Sequence, residues 1–104
     1  MRRARMKPHR QYVQEQSKSN PRFSKELAEA RAQVRLAVMI VQLREQRGWT
    51  QRKLAEQTGI KQPQIARIEK GDQMPTLETL WRLADALNAE VIIGPREHLE
   101  IRAA

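Results

Sequence analysis

Between residues 20 and 47 the apolar positions of this chain return every three or four residues, and they do so on two sides at once. At about 100° per residue, Ala32, Leu36, Met39, Ile40 and Leu43 fall on one stripe, while Leu27, Ala30, Val34, Ala37, Val38 and Val41 fall on a second, roughly opposite. Gln33 and Arg44 separate the stripes on one side, and Arg35, Gln42 and Gln46 on the other. A surface helix of a small domain buries one face, so a helix apolar on two must bury both. Either it is sandwiched inside the fold beneath Phe23, Trp81 or the C-terminal segment, or a second protein covers the valine face. Asn20-Pro21 is a start signal, with Asn as cap and Pro at the first helical position. Ser24 is a rival cap, and Gly48 ends the helix as a left-handed residue would.

Three shorter helices follow. Thr50 caps one that turns Leu54 and Ala55 inward and closes at Gly59. Pro63 sits at or near the first position of the next, whose buried positions are Ile65 and Ile68, and Gly71 ends it. Thr76 caps the last, with Leu77, Leu80, Leu83, Ala84 and Leu87 at core spacing and Asn88 at its end. Trp49 and Trp81 are read as packing residues. "EVII", Glu90 to Ile93, is a β-branched run stopped by Gly94-Pro95. This strand has no evident partner within the chain, and an unpaired edge is a liability. Antiparallel pairing with the same strand of a second copy would remove it.

The segment from Thr50 to Lys70 spends its apolar residues on holding one helix against another. Ala55 is small where the two would cross, and Gly59 takes the positive φ of a tight turn without steric cost. Ile65 and Ile68 anchor the second helix and leave its leading half projecting. That is helix-turn-helix geometry, in which the second helix enters the major groove of DNA. Gln62 and Gln64 suit bidentate pairing with adenine, Arg67 with guanine, and Lys61 reaches a phosphate or a base. Gln51 brings an amide and a helix N-terminus toward backbone phosphates, with Arg47, Arg52, Lys53 and Lys70 adding charge nearby. Taken singly, Arg52, Lys53 and Lys70 also fit a solvated face, and the two glutamines fit ordinary exposed positions. Arg44 and Glu69 are expected to form an ion pair joining the first helix to the projecting one. The fold class is therefore all-α: a helix-turn-helix bundle of four to five helices, with a long first helix and a short C-terminal strand pairing across a dimer.

Charge sharpens this picture. The chain of 104 residues carries +8, with no cysteine. Residues 1–25 hold eight basic side chains against Glu15, a charge of +7, and the remainder is nearly neutral. We read residues 1–19 as a flexible basic tail drawn to polyanions or serving only solubility, 20–88 as the helical domain, and 89–104 as the strand and C-terminal tail. The basic start resembles an organellar transit peptide in composition but has almost no apolar face. No apolar run follows it as a signal peptide requires, and the longest, Leu36 to Val41, is far short of the roughly 20 residues that span a bilayer. A soluble cytoplasmic protein without a membrane role is expected. His9 and His98 have no cysteines or paired carboxylates beside them. No nucleophile–base pair or phosphate-cradling loop appears, so no metal, cofactor or enzymatic activity is expected.

The stretch "LREQRGWTQRKLAEQTGIKQPQIARIEKGDQMPTLETLWRLADALN", Leu43 to Asn88, resembles the Xre or lambda-repressor-like helix-turn-helix pattern. An arginine precedes a glycine, then come T-Q-x-x-L-A, a glycine, an isoleucine, E-x-G and a leucine-rich closing helix. With "NPRF", the longer first helix and "VII" near the end, the chain is similar to the HigA type of antitoxin. The resemblance implies a homodimer that binds its own inverted-repeat operator on double-stranded DNA, represses transcription and neutralises a HigB-like ribonuclease toxin. It carries base reading onto Gln62, Gln64 and Arg67, phosphate contact onto Gln51, and a recurring ion pair onto Arg44 and Glu69. Pro63 departs from the pattern, standing where some members place a polar base reader, and the basic tail has no counterpart. A free-standing Xre-type regulator is the alternative. In either case Val34, Val38 and Val41, with Val91, Ile92 and Ile93, are candidate contacts for the toxin or for the second protomer.

Overall fold

The computed structural model describes residues 21–95 and 98–104; the basic tail of residues 1–19 and the Asn20 cap lie outside them. Four helices and a hairpin follow one another in chain order: α1 Pro21–Gln46, α2 Gln51–Thr58, α3 Gln62–Glu69, α4 Leu77–Leu87, β1 Ala89–Ile93 and β2 Leu99–Ala103. α1 already runs through Ser24, which excludes that residue as its cap. Gly48 stands at φ +70° beyond its end, and the Trp49 N–H returns to the Arg44 carbonyl at 3.2 Å, closing the helix. The hydroxyls of Thr50 and Thr76 accept the backbone N–H of Lys53 and Thr79, as capping requires. Among the described residues no helix is long and apolar enough to cross a membrane.

One core joins all these elements. Leu36, Ile40 and Leu43 of α1, Leu54 of α2, Ile65 and Ile68 of α3, and Leu80, Leu83 and Leu87 of α4 are buried together with Ile60 and Ile101. The first stripe of α1 is thus the buried one. Of the second stripe only Ala37 is fully buried; Val34 and Val38 are 57% and 50% exposed. The C-terminal segment does pack on α1, but against the core stripe rather than the valines.

Two expectations are corrected here. β1 is not unpaired within the chain: it turns at Gly94-Pro95 and pairs antiparallel with β2, Val91 opposite Ile101 and Ile93 opposite Leu99. The Gly94 N–H donates to the His98 carbonyl at 2.8 Å. A second copy is not needed to satisfy this strand. "LEIRA" passed as a tail because Glu100 and Arg102 interrupt its apolar residues, yet that alternation is what a half-buried strand shows, and Ile101 is fully buried. The second correction concerns α4. Leu77 and Trp81, expected to pack, are 44% and 59% exposed. They lie one turn apart on the outer side, while Leu80, Leu83, Ala84 and Leu87 fill the inner one.

Candidate nucleic-acid interface

The turn between α2 and α3 is fixed by backbone geometry and one hydroxyl. Gly59 adopts φ +76° and its N–H bonds the Ala55 carbonyl at 2.9 Å. A side chain at that φ would be strained. The Thr58 hydroxyl donates to the Leu54 carbonyl at 2.8 Å and accepts from the Ile60 N–H at 3.1 Å, tying the end of α2 to the entry of α3. Ile60, Ile65 and Ile68 then seat α3 on the core. Lys61 is the cap residue of α3, with no side-chain capping bond, and Pro63 lies in the first turn.

This seating turns Pro63, Arg67 and Lys70 outward, with Lys61 and Gln62 exposed at the leading end. Gln64 is only half-exposed, since it lies at the border between the outer side and the Ile65–Ile68 face. Arg67 is held: its Nε donates to Oε1 of Gln73 at 3.1 Å. The guanidinium's terminal nitrogens have no partner among the described residues, and that is the end that forks onto an acceptor pair. Gln73 did not emerge from sequence. It sits six residues on, in the loop after α3, where no periodicity pairs it with Arg67.

The ion pair between Arg44 and Glu69 is present as anticipated and has more partners than anticipated. Nε and Nη2 of Arg44 donate to the two carboxylate oxygens at 2.7 and 3.0 Å, and Nη1 donates to the Trp49 carbonyl at 2.7 Å. Gln51 Nε2 donates to Glu69 Oε1 at 3.0 Å. The Glu69 side chain is 4% exposed and that of Arg44 13%. The carboxylate's hydrogen bond holds the Arg44 pKa above its usual value, outweighing the opposing effect of burial. Glu69 thus clamps α1 and the start of α2 to the end of α3. Gln51, singled out for phosphate contact, spends one amide hydrogen on this clamp and retains one.

The remaining basic candidates form a fringe around α2 and α3. Arg52 faces Glu56 at 3.9 Å on an exposed surface, a weak contact. Arg47 lies over the Trp49 ring, 5.0 Å from its centroid. Lys53, Lys61 and Lys70 are exposed with no salt bridge among the described residues. The apolar candidates are not brought together in one surface. Val34, Val38 and the half-buried Val41 lie on the outer side of α1. Val91 packs on the core, Ile92 is half-buried, and Ile93 is 65% exposed at the hairpin tip. Ile93 and Leu77 line an open groove of about 470 Å³ with Glu29, Met74 and His98. Among the described residues no cluster of His, Asp and Glu is arranged to hold a metal.

Known proteins resemble this chain in sequence and fold. The sequence matches the helix-turn-helix family HTH_3 over residues 40–91. It is 43% identical over 53 residues to the HTH-type transcriptional regulator SutR of Escherichia coli, covering 51% of this chain and 30% of SutR. It is 32% identical over 80 residues to antitoxin HigA1 of Mycobacterium tuberculosis, covering 77% of this chain and 54% of that one. A crystal structure of an HTH_3 family transcriptional regulator from Vibrio cholerae superposes with a TM-score of 0.58 at 31% identity, covering 60% of this chain and 35% of the other. The chain therefore spans about a third to a half of the length of these relatives. Its helix-turn-helix unit, α2 with α3, lies inside the matched segment, and this chain belongs to the helix-turn-helix family HTH_3.

Proposed function

We infer that this chain is a DNA-binding transcriptional regulator that places α3 in the major groove of an inverted-repeat operator and acts as a dimer. The observation that carries this reading is the clamp on Glu69: three hydrogen bonds from α1 and α2 fix an eight-residue helix whose outer edge offers Arg67, Gln62 and Lys61 to solvent. A helix this short gains little from its own hydrogen bonds, so this buried polar connection serves to hold its angle. Arg67 suits a guanine, Gln62 and Gln64 adenine edges. Gln51's second amide hydrogen, the free N–H groups at the start of α2 and the basic fringe of Arg47, Arg52, Lys53 and Lys70 suit phosphates. The reading predicts half-sites about 34 Å apart. The test is selection of a duplex from a random-sequence pool, followed by footprinting. Replacing Arg67 by Ala should weaken binding to the selected site by about 1–3 kcal/mol and relax the preference at one base pair per half-site. Identical footprints and base preferences for the variant and the wild type would remove α3 as the reading helix.

A second, finer reading is favoured by the HigA1 similarity, which extends over 80 residues and thus beyond the helix-turn-helix unit alone. In it the regulator is the antitoxin of a type II pair and also captures a HigB-like toxin. The exposed Leu77, Trp81 and Ile93 supply apolar surface for such a partner apart from the reading edge. Co-expression with the product of the neighbouring reading frame tests it. Toxicity of that product alone, relieved by this chain with recovery of a stoichiometric complex, supports the antitoxin role. A harmless neighbour that forms no complex leaves a free-standing regulator.

A further inference from the structure

The outer side of α1 is patterned as well as exposed. Phe23, Leu27, Ala30, Val34, Ala37 and Val41 recur at alternating steps of four and three residues, the spacing of two helices packed along each other, with Val38 beside them; of these Ala37 is covered by the chain itself and Leu27 and Val41 are half-buried. The turn after α3 borders this face on one side, where Gly71 lies against Val34 and Ala37. β2 packs along the other side of α1 near Met39 and Leu43. Between these borders Ala30, Val34 and Val38 are exposed.

Charge on this face has a symmetry of its own. Arg31 lies seven residues, two turns, before Val38, and Glu45 lies seven residues after it. Both are exposed and neither has a salt bridge within the described chain. Resting on the dimeric regulator reading, we propose that α1 pairs with α1 of a second copy of this chain, antiparallel, about a two-fold axis at Val38, so that Arg31 of each helix meets Glu45 of the other. The axis sets Val38 against Val38 and Val34 beside Val41, and it forms both ion pairs at once. A parallel pair is disfavoured by the same positions. It would bring the edge carrying Arg31, Val38 and Glu45 against the edge carrying Gln33 and Ile40, and Ile40 is fully buried in its own core. Only the antiparallel arrangement matches the open edge with itself.

The chain has no cysteine, so a single introduced thiol reports alone. In the full chain, Val38→Cys should form a covalent dimer under oxidised glutathione at micromolar protein, while Gln57→Cys on the exposed side of α2 should not. In sedimentation equilibrium Arg31→Glu and Glu45→Arg should each raise the dimer dissociation constant by about tenfold or more, because each places like charges together twice. The double variant should return to within about threefold of wild type. Circular dichroism of each variant separates a lost interface from a lost fold. A wild type that footprints an inverted repeat as a dimer, with no cross-link at position 38 and no rescue by the charge swap, overturns this helix pair and leaves the regulator reading standing. A chain that selects no duplex, whatever its oligomeric state, overturns that reading instead.

Discussion

Replacing Arg44 by Met should be the most damaging single polar substitution in this fold. The side chain keeps most of its aliphatic volume and loses the guanidinium. What remains is the Glu69 carboxylate, 4% exposed, with the Gln51 amide as its one retained hydrogen bond. The Trp49 carbonyl, which accepts from Nη1 at 2.7 Å, also loses its partner. Breaking a buried pair by removing one member costs about 3–5 kcal/mol, against a total stability of about 5–10 kcal/mol for a domain this small. The reverse deletion, Glu69→Leu, should cost less, about 1–3 kcal/mol. Arg44 is the more exposed partner and keeps the Trp49 carbonyl. Removing both, Arg44→Met with Glu69→Leu, should cost less than Arg44→Met alone, since no carboxylate is left stranded. The assay is urea denaturation followed by circular dichroism at one fixed protein concentration, because any self-association adds to apparent stability. Glu69 raises the Arg44 pKa, so the stabilisation from this guanidinium is complete below its ordinary pKa and is lost only as pH climbs through the still higher folded value. The Arg44 side of the pair therefore adds no pH dependence between about pH 6 and 9, which lies well below the guanidinium range. A single-variant loss below about 1 kcal/mol, or a double variant less stable than Arg44→Met, would refute the claim that the clamp is a buried charge pair.

Other substitutions probe the rest of the unit. Gly59→Ala meets no steric obstacle, the nearest atom being Arg82 Nη1 at 3.7 Å, so its cost should be the backbone penalty of φ +76°, about 1–2 kcal/mol, read as a fall in the urea midpoint. Thr50→Ala removes the cap bond to Lys53 and should cost about 1 kcal/mol by the same measure. Gln73→Ala frees Arg67 Nε and should leave stability within about 0.5 kcal/mol of wild type while weakening discrimination at the base pair proposed for Arg67, measured by competition binding. Lys53→Ala should weaken binding to all duplexes alike and reduce the slope of log affinity against log salt by about one, the share of a single neutralised phosphate; an unchanged slope would remove Lys53 from the phosphate set.

Local chemistry made much of this fold readable. The threonine caps, the glycines at +70° and +76°, Asn88 at +52° and the inward leucines each obey a rule acting within one turn of chain. Two failures share a cause. Leu77 satisfied helical spacing yet lies outside, and Ile101 sat in an apparent tail yet is fully buried. Periodicity says which residues share a face, and whether that face is covered depends on elements distant in sequence. β2, distant in sequence, packs on α1 and α4 and covers the side of α1 near Met39 and Leu43.

The candidate site divides along the same line. Arg67 and Gln62 were legible as outward residues because Ile65 and Ile68 fix the rotation of α3, a relation within three or four positions. That Arg67 is steadied by Gln73, and that Gln51 bonds Glu69, follow from pairings six and eighteen residues apart, which leave no period in a sequence. Arg44 and Glu69 are the instructive exception. Twenty-five residues separate them, but each is a charge set among apolar neighbours, and burying either alone is costly enough that the sequence must supply its opposite. Long-range pairings can be anticipated where an unmet partner carries a severe penalty. A neutral amide such as Gln73 can instead be satisfied by water, so nothing in the chain announces its partner before the loop is folded.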